Sequence, residues 1–154
     1  MDKPGADLEK ARRYSFLLLK FRPRSEKEIA DKLRRKKFDA AVIGATLDFL
    51  REKSFVDDAR FAMAWTDSRL KRPLGLRRIS RELSAKGIDK GLIESAMQKA
   101  REDYNESRIV GKIARDRLAR LKGIDPQKAK RRVFAYLLRR GFTPETIIDS
   151  MEQL

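Results

Sequence analysis

The chain has 154 residues, with 38 Lys or Arg against 23 Asp or Glu, a formal net charge of +15; 40% of its side chains are charged and 41% hydrophobic. That length fits one domain or a few small units sharing a core, and the composition is too apolar for a disordered tail. With no His and no Cys, His general-base catalysis, Ser-His and Cys-His nucleophiles, the usual zinc sites and a disulfide framework are all excluded.

The start, Met1 to Asp7, lacks the basic-then-apolar pattern of a secretory signal. Apolar runs such as Phe16 to Leu19 are far short of a membrane span, so a cytoplasmic protein with no membrane partner is expected. Apolar residues recur at three and four along the whole chain, and no segment alternates with period two for long enough to suggest a strand. The pattern predicts nine helices, over 7–20, 25–36, 39–53, 57–70, 75–86, 89–103, 105–121, 126–140 and 143–153. Ser25-Glu26-Lys27-Glu28 reads as a capping box, and Asp125-Pro126 and Thr143-Pro144 each place a cap before a Pro at the first helical position.

Internal repetition sets the architecture. Ile29, Leu33, Phe38, Val42-Ile43 and Leu47 are matched 50 residues on by Ile79, Leu83, Ile88, Leu92-Ile93 and Met97. A further 54 residues give Val133, Leu137, Phe142, Thr146-Ile147 and Met151, with Thr146 the one position that is not apolar. Asp39, Asp89 and Thr143 share one slot, suited to capping free amides. Lys37, Gly87 and Gly141 share the slot that ends the preceding helix, where a left-handed backbone favours Gly. The chain is therefore read as an all-α tandem array of three three-helix repeats, over 1–54, 55–104 and 105–154. Such an array can be elongated and curved, because each repeat needs to contact only its neighbours.

The three segments carry 15, 11 and 12 basic residues against 9, 8 and 6 acidic ones. Arg34-Arg35-Lys36-Lys37 closes one helix. Arg69, Lys71, Arg72, Arg77, Arg78 and Arg81 fall within a stretch that holds no acid, and so do Lys128, Lys130, Arg131, Arg132, Arg139 and Arg140. Lys36, Lys86 and Arg140 are repeat-equivalent. Taken singly, each cluster is adequately explained as a solvated helix end, where Lys and Arg offset the negative pole of the dipole. The total of +15 points further, to a polyanionic partner: nucleic acid, or a protein assembly that carries it. Phe38, Phe55, Phe61, Phe134, Phe142 and Trp65 fall at core-like positions, where packing is favoured over stacking on bases. Asp57-Asp58 reads as an N-cap with its dipole-favoured neighbour rather than as an acid/base or metal pair. Leu74-Gly75-Leu76 reads as a turn, not a phosphate loop. No catalytic residue, cofactor or metal ligand is indicated.

Asp57-Asp58-Ala59-Arg60-Phe61-Ala62 is followed by Gly75-x-x-Arg78-Ile79-x-x-Glu82-Leu83-x-x-Lys86-Gly87-Ile88. With Ser25-Glu26-x-Glu28-Ile29-x-x-Lys32-Leu33 before them and Leu137-Leu138-Arg139-Arg140-Gly141-Phe142 after, these motifs resemble the bacterial RecX family, from about residue 10 to the end. The resemblance implies three tandem three-helix repeats and a non-enzymatic protein. Its partner would be the RecA filament on single-stranded DNA, whose growth, ATP hydrolysis, strand exchange and coprotease activity it would limit. Asp58, Phe61, Gly75, Ile79, Leu83 and Gly87 are expected to build the fold. Lys37 and Ser54 stand where that family would use Gly. The residues expected to contact RecA or DNA are Arg34, Arg35, Lys36, Arg69, Lys71, Arg72, Arg77, Arg78, Arg81, Lys86, Arg131, Arg132, Arg139 and Arg140. An independent DNA-binding protein of helix-turn-helix-like units, contacting single- or double-stranded DNA, is the competing reading; a monomer is expected in either case. A hydrolase or nuclease is disfavoured, since there is no His, no Cys and no cluster of carboxylates outside cap positions.

Overall fold

The computed structural model describes residues 3–154, so Met1 and Asp2 of the segment read for a targeting signal lie outside the described residues. Among the described residues there are nine helices and no strand. In chain order they are α1 (Lys3–Phe21), α2 (Glu26–Arg35), α3 (Ala40–Glu52), α4 (Asp58–Arg69), α5 (Leu76–Ala85), α6 (Lys90–Asp103), α7 (Glu106–Arg120), α8 (Pro126–Arg139) and α9 (Pro144–Glu152). None of them is long and apolar enough to cross a membrane. Helix α1 starts four residues earlier than the sequence pattern predicts. Pro4 stands in its first turn, where a missing N–H costs nothing, so the Pro-Gly pair does not delay the helix.

The caps form as the sequence pattern requires. Ser25 and Glu28 make a reciprocal capping box. The carboxylates of Asp39 and Asp125 and the hydroxyl of Thr143 each accept an N–H three residues on. Asp57 caps α4 by accepting the Arg60 N–H at 3.0 Å. At the other ends, one motif recurs. Phe38, Phe55, Ile88 and Phe142 each donate their N–H to the carbonyl five residues back, at 3.2, 2.8, 3.1 and 3.2 Å. The residue before each has a positive φ: Lys37 at 69°, Ser54 at 58°, Gly87 at 76° and Gly141 at 96°. Two of those four positions therefore hold a left-handed backbone without Gly.

The repeat-matched positions build the interior, and none of them is exposed. Leu33, Leu83 and Leu137 are each 0% exposed, and burying each side chain contributes about 2 kcal/mol. The chain divides into two compact units, residues 1–64 with 83–93, and residues 65–82 with 94–154. Each of α4, α5 and α6 gives residues to both. In the first unit Ile29, Leu33, Val42, Ile43 and Leu50 bury against α1 residues such as Ala11, Leu18 and Leu19. In the second, Val110, Ala114, Val133, Leu137, Phe142 and Ile147 form the core of α7, α8 and α9. Among the aromatic positions expected inside, Phe61 and Phe142 are buried, while Phe38, Phe134 and Trp65 are half-buried. Phe55 departs from expectation: half of it is exposed. The neighbouring Val56 takes the buried position after the Ser54 turn, and the Phe55 ring lies edge-on to Phe16 instead.

Candidate partner-binding surface

Two helix-to-turn junctions, one in each unit, place most of the cations singled out in the sequence. In the first unit the start of α2 meets the end of α5. The Ser25 hydroxyl donates to the Lys86 carbonyl at 2.7 Å while also accepting the Glu28 N–H at 3.2 Å. Lys86 Nζ lies 3.7 Å from Glu28, and Arg22 also pairs with Glu28. Burial pushes the Glu28 carboxyl up, but the Arg22 hydrogen bond, the Ser25 amide and the Lys86 charge outweigh it and hold the carboxyl below its ordinary 4.5. Asp58 anchors the same junction by accepting the Glu26 N–H at 3.0 Å, and Arg51 pairs with Glu26. Burial raises the Asp58 carboxyl.

In the second unit the start of α5 meets the end of α8. The Gly75 N–H donates to the Arg140 carbonyl at 2.9 Å, and Arg140 Nε donates to the Pro73 carbonyl at 3.3 Å. The backbones touch here. A Cβ on Gly75 would stand 2.0 Å from the Gly141 carbonyl oxygen, and one on Gly141 would stand 2.2 Å from the Arg78 Cβ. The turn is pinned from the other side as well: the Tyr104 hydroxyl donates to the Leu74 carbonyl at 2.7 Å, and the Glu106 carboxylate accepts the Leu76 N–H at 3.4 Å. Residues 73–76 are thus fixed by α7, α8 and the end of α6.

This junction brings together two basic clusters that are about sixty residues apart in the chain. Lys71 and Arg72 in the turn, Arg77 and Arg81 on α5 and Arg139 on α8 are exposed, with no ion pair among the described residues. Arg69 and Arg78 are different. Both are held by Glu82, which accepts two hydrogen bonds from Arg69 at 2.9 and 2.7 Å, one from Arg78 Nε at 3.3 Å and one from the Trp65 indole at 2.9 Å. Burial raises the Glu82 carboxyl, but the Arg69 and Trp65 hydrogen bonds outweigh it and keep it below 4.5. The acid that neutralises these two arginines follows Arg81 directly, one residue outside the acid-free stretch.

The repeat-equivalent cations Lys36, Lys86 and Arg140 share a place rather than an open face. Each follows directly on its helix, 5.2, 5.9 and 6.0 Å from the ring centroids of Tyr14, Phe61 and Tyr136. Lys36 is exposed, whereas Lys86 and Arg140 are half-buried. Arg34 and Arg35 are exposed at the end of α2, with Arg34 paired to Asp31 at 2.7 Å. Arg131 and Arg132 are exposed on α8, and Arg131 with Lys130 borders an apolar groove floored by Phe134, Ile148 and Met151. Among the described residues no group of three or more acidic side chains is placed to hold a metal ion.

Helical caps, apolar matches and the recurring junction define an array of three-helix units. The family described as RecX matches this array domain by domain. Its first three-helix domain matches residues 11–50, its second 57–97 and its third 111–149. Regulatory protein RecX of Chlorobium phaeobacteroides (strain BS1) is 35% identical over 149 residues, covering 96% of this chain and 95% of the relative. Regulatory protein RecX of Thermobifida fusca (strain YX) is 35% identical over 135 residues, covering 87% and 72%. The chain belongs to the RecX family. The crystal structure of RecX from Lactobacillus salivarius has the same fold, with a TM-score of 0.84, 21% identity and 97% of each chain covered.

Proposed function

We propose that this chain is a non-enzymatic regulator of RecA, acting as a cytoplasmic monomer. It binds the RecA filament on single-stranded DNA and limits filament growth, and with it ATP hydrolysis, strand exchange and coprotease activity. The observation that carries this reading is the family match across all three three-helix domains. The exposed cations of the second junction, Lys71, Arg72, Arg77, Arg81 and Arg139, are the contact surface this reading assigns first. Arg34, Arg35, Lys36, Arg131 and Arg132 are further exposed candidates, and Arg69, Arg78, Lys86 and Arg140 are assigned to positioning the junctions. The test is RecA ATPase on single-stranded DNA with rising amounts of this protein at two salt concentrations. A loss of activity well below one molecule per RecA, after a delay in which filaments shorten, is expected. No loss at equimolar protein would sink the reading.

A second reading, an independent DNA-binding protein, is favoured by the same exposed cluster, since phosphate neutralisation needs cations that no acid already holds. It requires salt-dependent DNA binding without RecA, weakened by charge reversal at Arg77 and Arg81.

A further inference from the structure

The first unit carries large apolar side chains on the outside, beyond the surface considered above. Phe21 is 82% exposed, Leu17 53%, Phe55 50% and Phe16 38%. Their placement is ordered. On α1, Arg13, Phe16, Leu17, Lys20 and Phe21 fall at three- and four-residue steps, and all five are exposed. The Phe16 ring stands edge-on to Phe55 at 5.0 Å and 82°, and edge-on to Phe49 at 6.2 Å and 83°. The Arg12 guanidinium lies 3.9 Å from the Phe49 ring centroid and closes that side of the cluster. Phe16 is therefore held in place by two rings, while one edge of the cluster stays open to solvent.

Complete burial of such side chains is worth about 1.5–3 kcal/mol each, so a face that leaves Phe21, Leu17, Phe55 and part of Phe16 in water is suited to an occupant. The cations choose it. Arg13 and Lys20 alternate with the rings along α1, and exposed Lys53 precedes Phe55 by two residues. Glu9 pairs with Arg13 at 3.4 Å, and exposed Glu52 stands next to Lys53, so Lys20 is the cation of the stripe farthest in sequence from an acid. A wholly apolar protein surface would cover the rings but leave the interleaved cations without a counter-charge. A single strand of nucleic acid matches both features, since its unpaired bases stack on rings while the phosphates between them meet Lys and Arg. In a duplex the base faces are already stacked and out of reach.

We propose that Phe16, Leu17, Phe21 and Phe55, with Lys20 and Lys53, form a stacking platform for single-stranded nucleic acid on the outer face of α1. The platform gives direct DNA contact a place and a chemistry. Its test contains no RecA, so its failure leaves the RecA reading standing.

The experiment is fluorescence anisotropy of the full chain with labelled oligothymidine, and with a duplex of the same length, over a series of salt concentrations. Phe21→Ala and Phe55→Ala should each weaken oligothymidine binding by roughly 5- to 150-fold, the range that losing a stacked base gives. The slope of log affinity against log salt should stay as in the parent, because no phosphate contact is lost. Lys20→Ala should instead lower that slope by about 0.7. Phe21→Trp should retain binding, and duplex binding should be indifferent to all ring changes. At 82% exposure Phe21 can be truncated without touching the core, so that variant decides the matter even if Phe55→Ala misfolds. The proposal is overturned if the parent does not bind oligothymidine, if Phe21→Ala binds it as the parent does, or if single strand and duplex lose affinity alike.

Discussion

The two junctions use one backbone plan and opposite charge. Fifty residues separate Ser25 from Gly75, Glu28 from Arg78 and Asp31 from Arg81, and 54 separate Lys86 from Arg140. At the first junction a hydroxyl spans the gap to the Lys86 carbonyl, and Glu28 answers Lys86. At the second the hydroxyl is gone, the Gly75 backbone itself donates to the Arg140 carbonyl, and arginines stand in place of both acids. Only Arg78 finds a carboxylate, Glu82, which it shares with Arg69. The first junction is thus electrostatically closed, and the second leaves Lys71, Arg72, Arg77, Arg81 and Arg139 to the solvent. Repetition supplied the scaffold; the difference between copies leaves one junction with cations that no acid holds. The exchange of the exposed ring of Phe21 for Lys71 at the same repeat position sharpens the contrast.

The comparison breaks most severely at the shared Ser/Gly position. Gly75→Ala would drive a Cβ into the Gly141 carbonyl, and we expect a loss of about 3 kcal/mol or more in chemical denaturation, from backbone that must move. Ser25→Ala removes a cap and leaves the Lys86 carbonyl without its donor, so a smaller loss of about 2 kcal/mol is expected in the same experiment. Equal losses would mean that the second junction is no tighter than the first.

Acid should loosen both. The carboxyls of Glu28 and Glu82 lie below 4.5 in the folded chain, so the stability they bring is complete above that value and is lost as pH falls through the lowered one. Asp58, raised by burial, works in the opposite sense. Thermal melts of Glu82→Gln should therefore fall less steeply below pH 4.5 than those of the parent. A melt series that stays parallel to the parent would remove Glu82 from the account.

The smallest expected effect is a gain. Lys37 and Ser54 hold positive φ without being Gly, and Lys37→Gly and Ser54→Gly should each stabilise the fold by about 1 kcal/mol. A loss of stability in either variant would show that the side chain contributes more than the strained backbone costs.

Much of the fold was legible because helices are local. Caps such as Ser25 and Asp39, the left-handed stops at Lys37, Gly87 and Gly141, and the apolar matches each follow from a few neighbouring residues. The surface was legible only as charge. That Arg69 and Arg78 would be spent on Glu82, and that Arg140 would reach the Pro73–Gly75 turn, depends on contacts that a local sequence pattern does not carry. Gly75 did carry a signal, a Gly exchanged for Ser between copies, but its meaning as a point of backbone contact needs the partner strand of chain at Gly141. Phe55 misled because its position in the repeat is core-like, whereas Val56 beside it does the burying. Asp58 combined two roles that sequence cannot separate, standing in the first turn of α4 and holding the Glu26 amide.

Under the proposed function, the open cations of the second junction, not basic charge in general, carry regulation of RecA. RecA ATPase on single-stranded DNA, titrated with the parent chain, with Arg77→Glu/Arg81→Glu and with Arg34→Glu/Arg35→Glu, tests it directly. Each double variant changes net charge by the same amount. The account predicts substoichiometric inhibition by the parent, retained in large part by the Arg34/Arg35 variant and lost by the Arg77/Arg81 variant. Equal retention or equal loss in the two would contradict it.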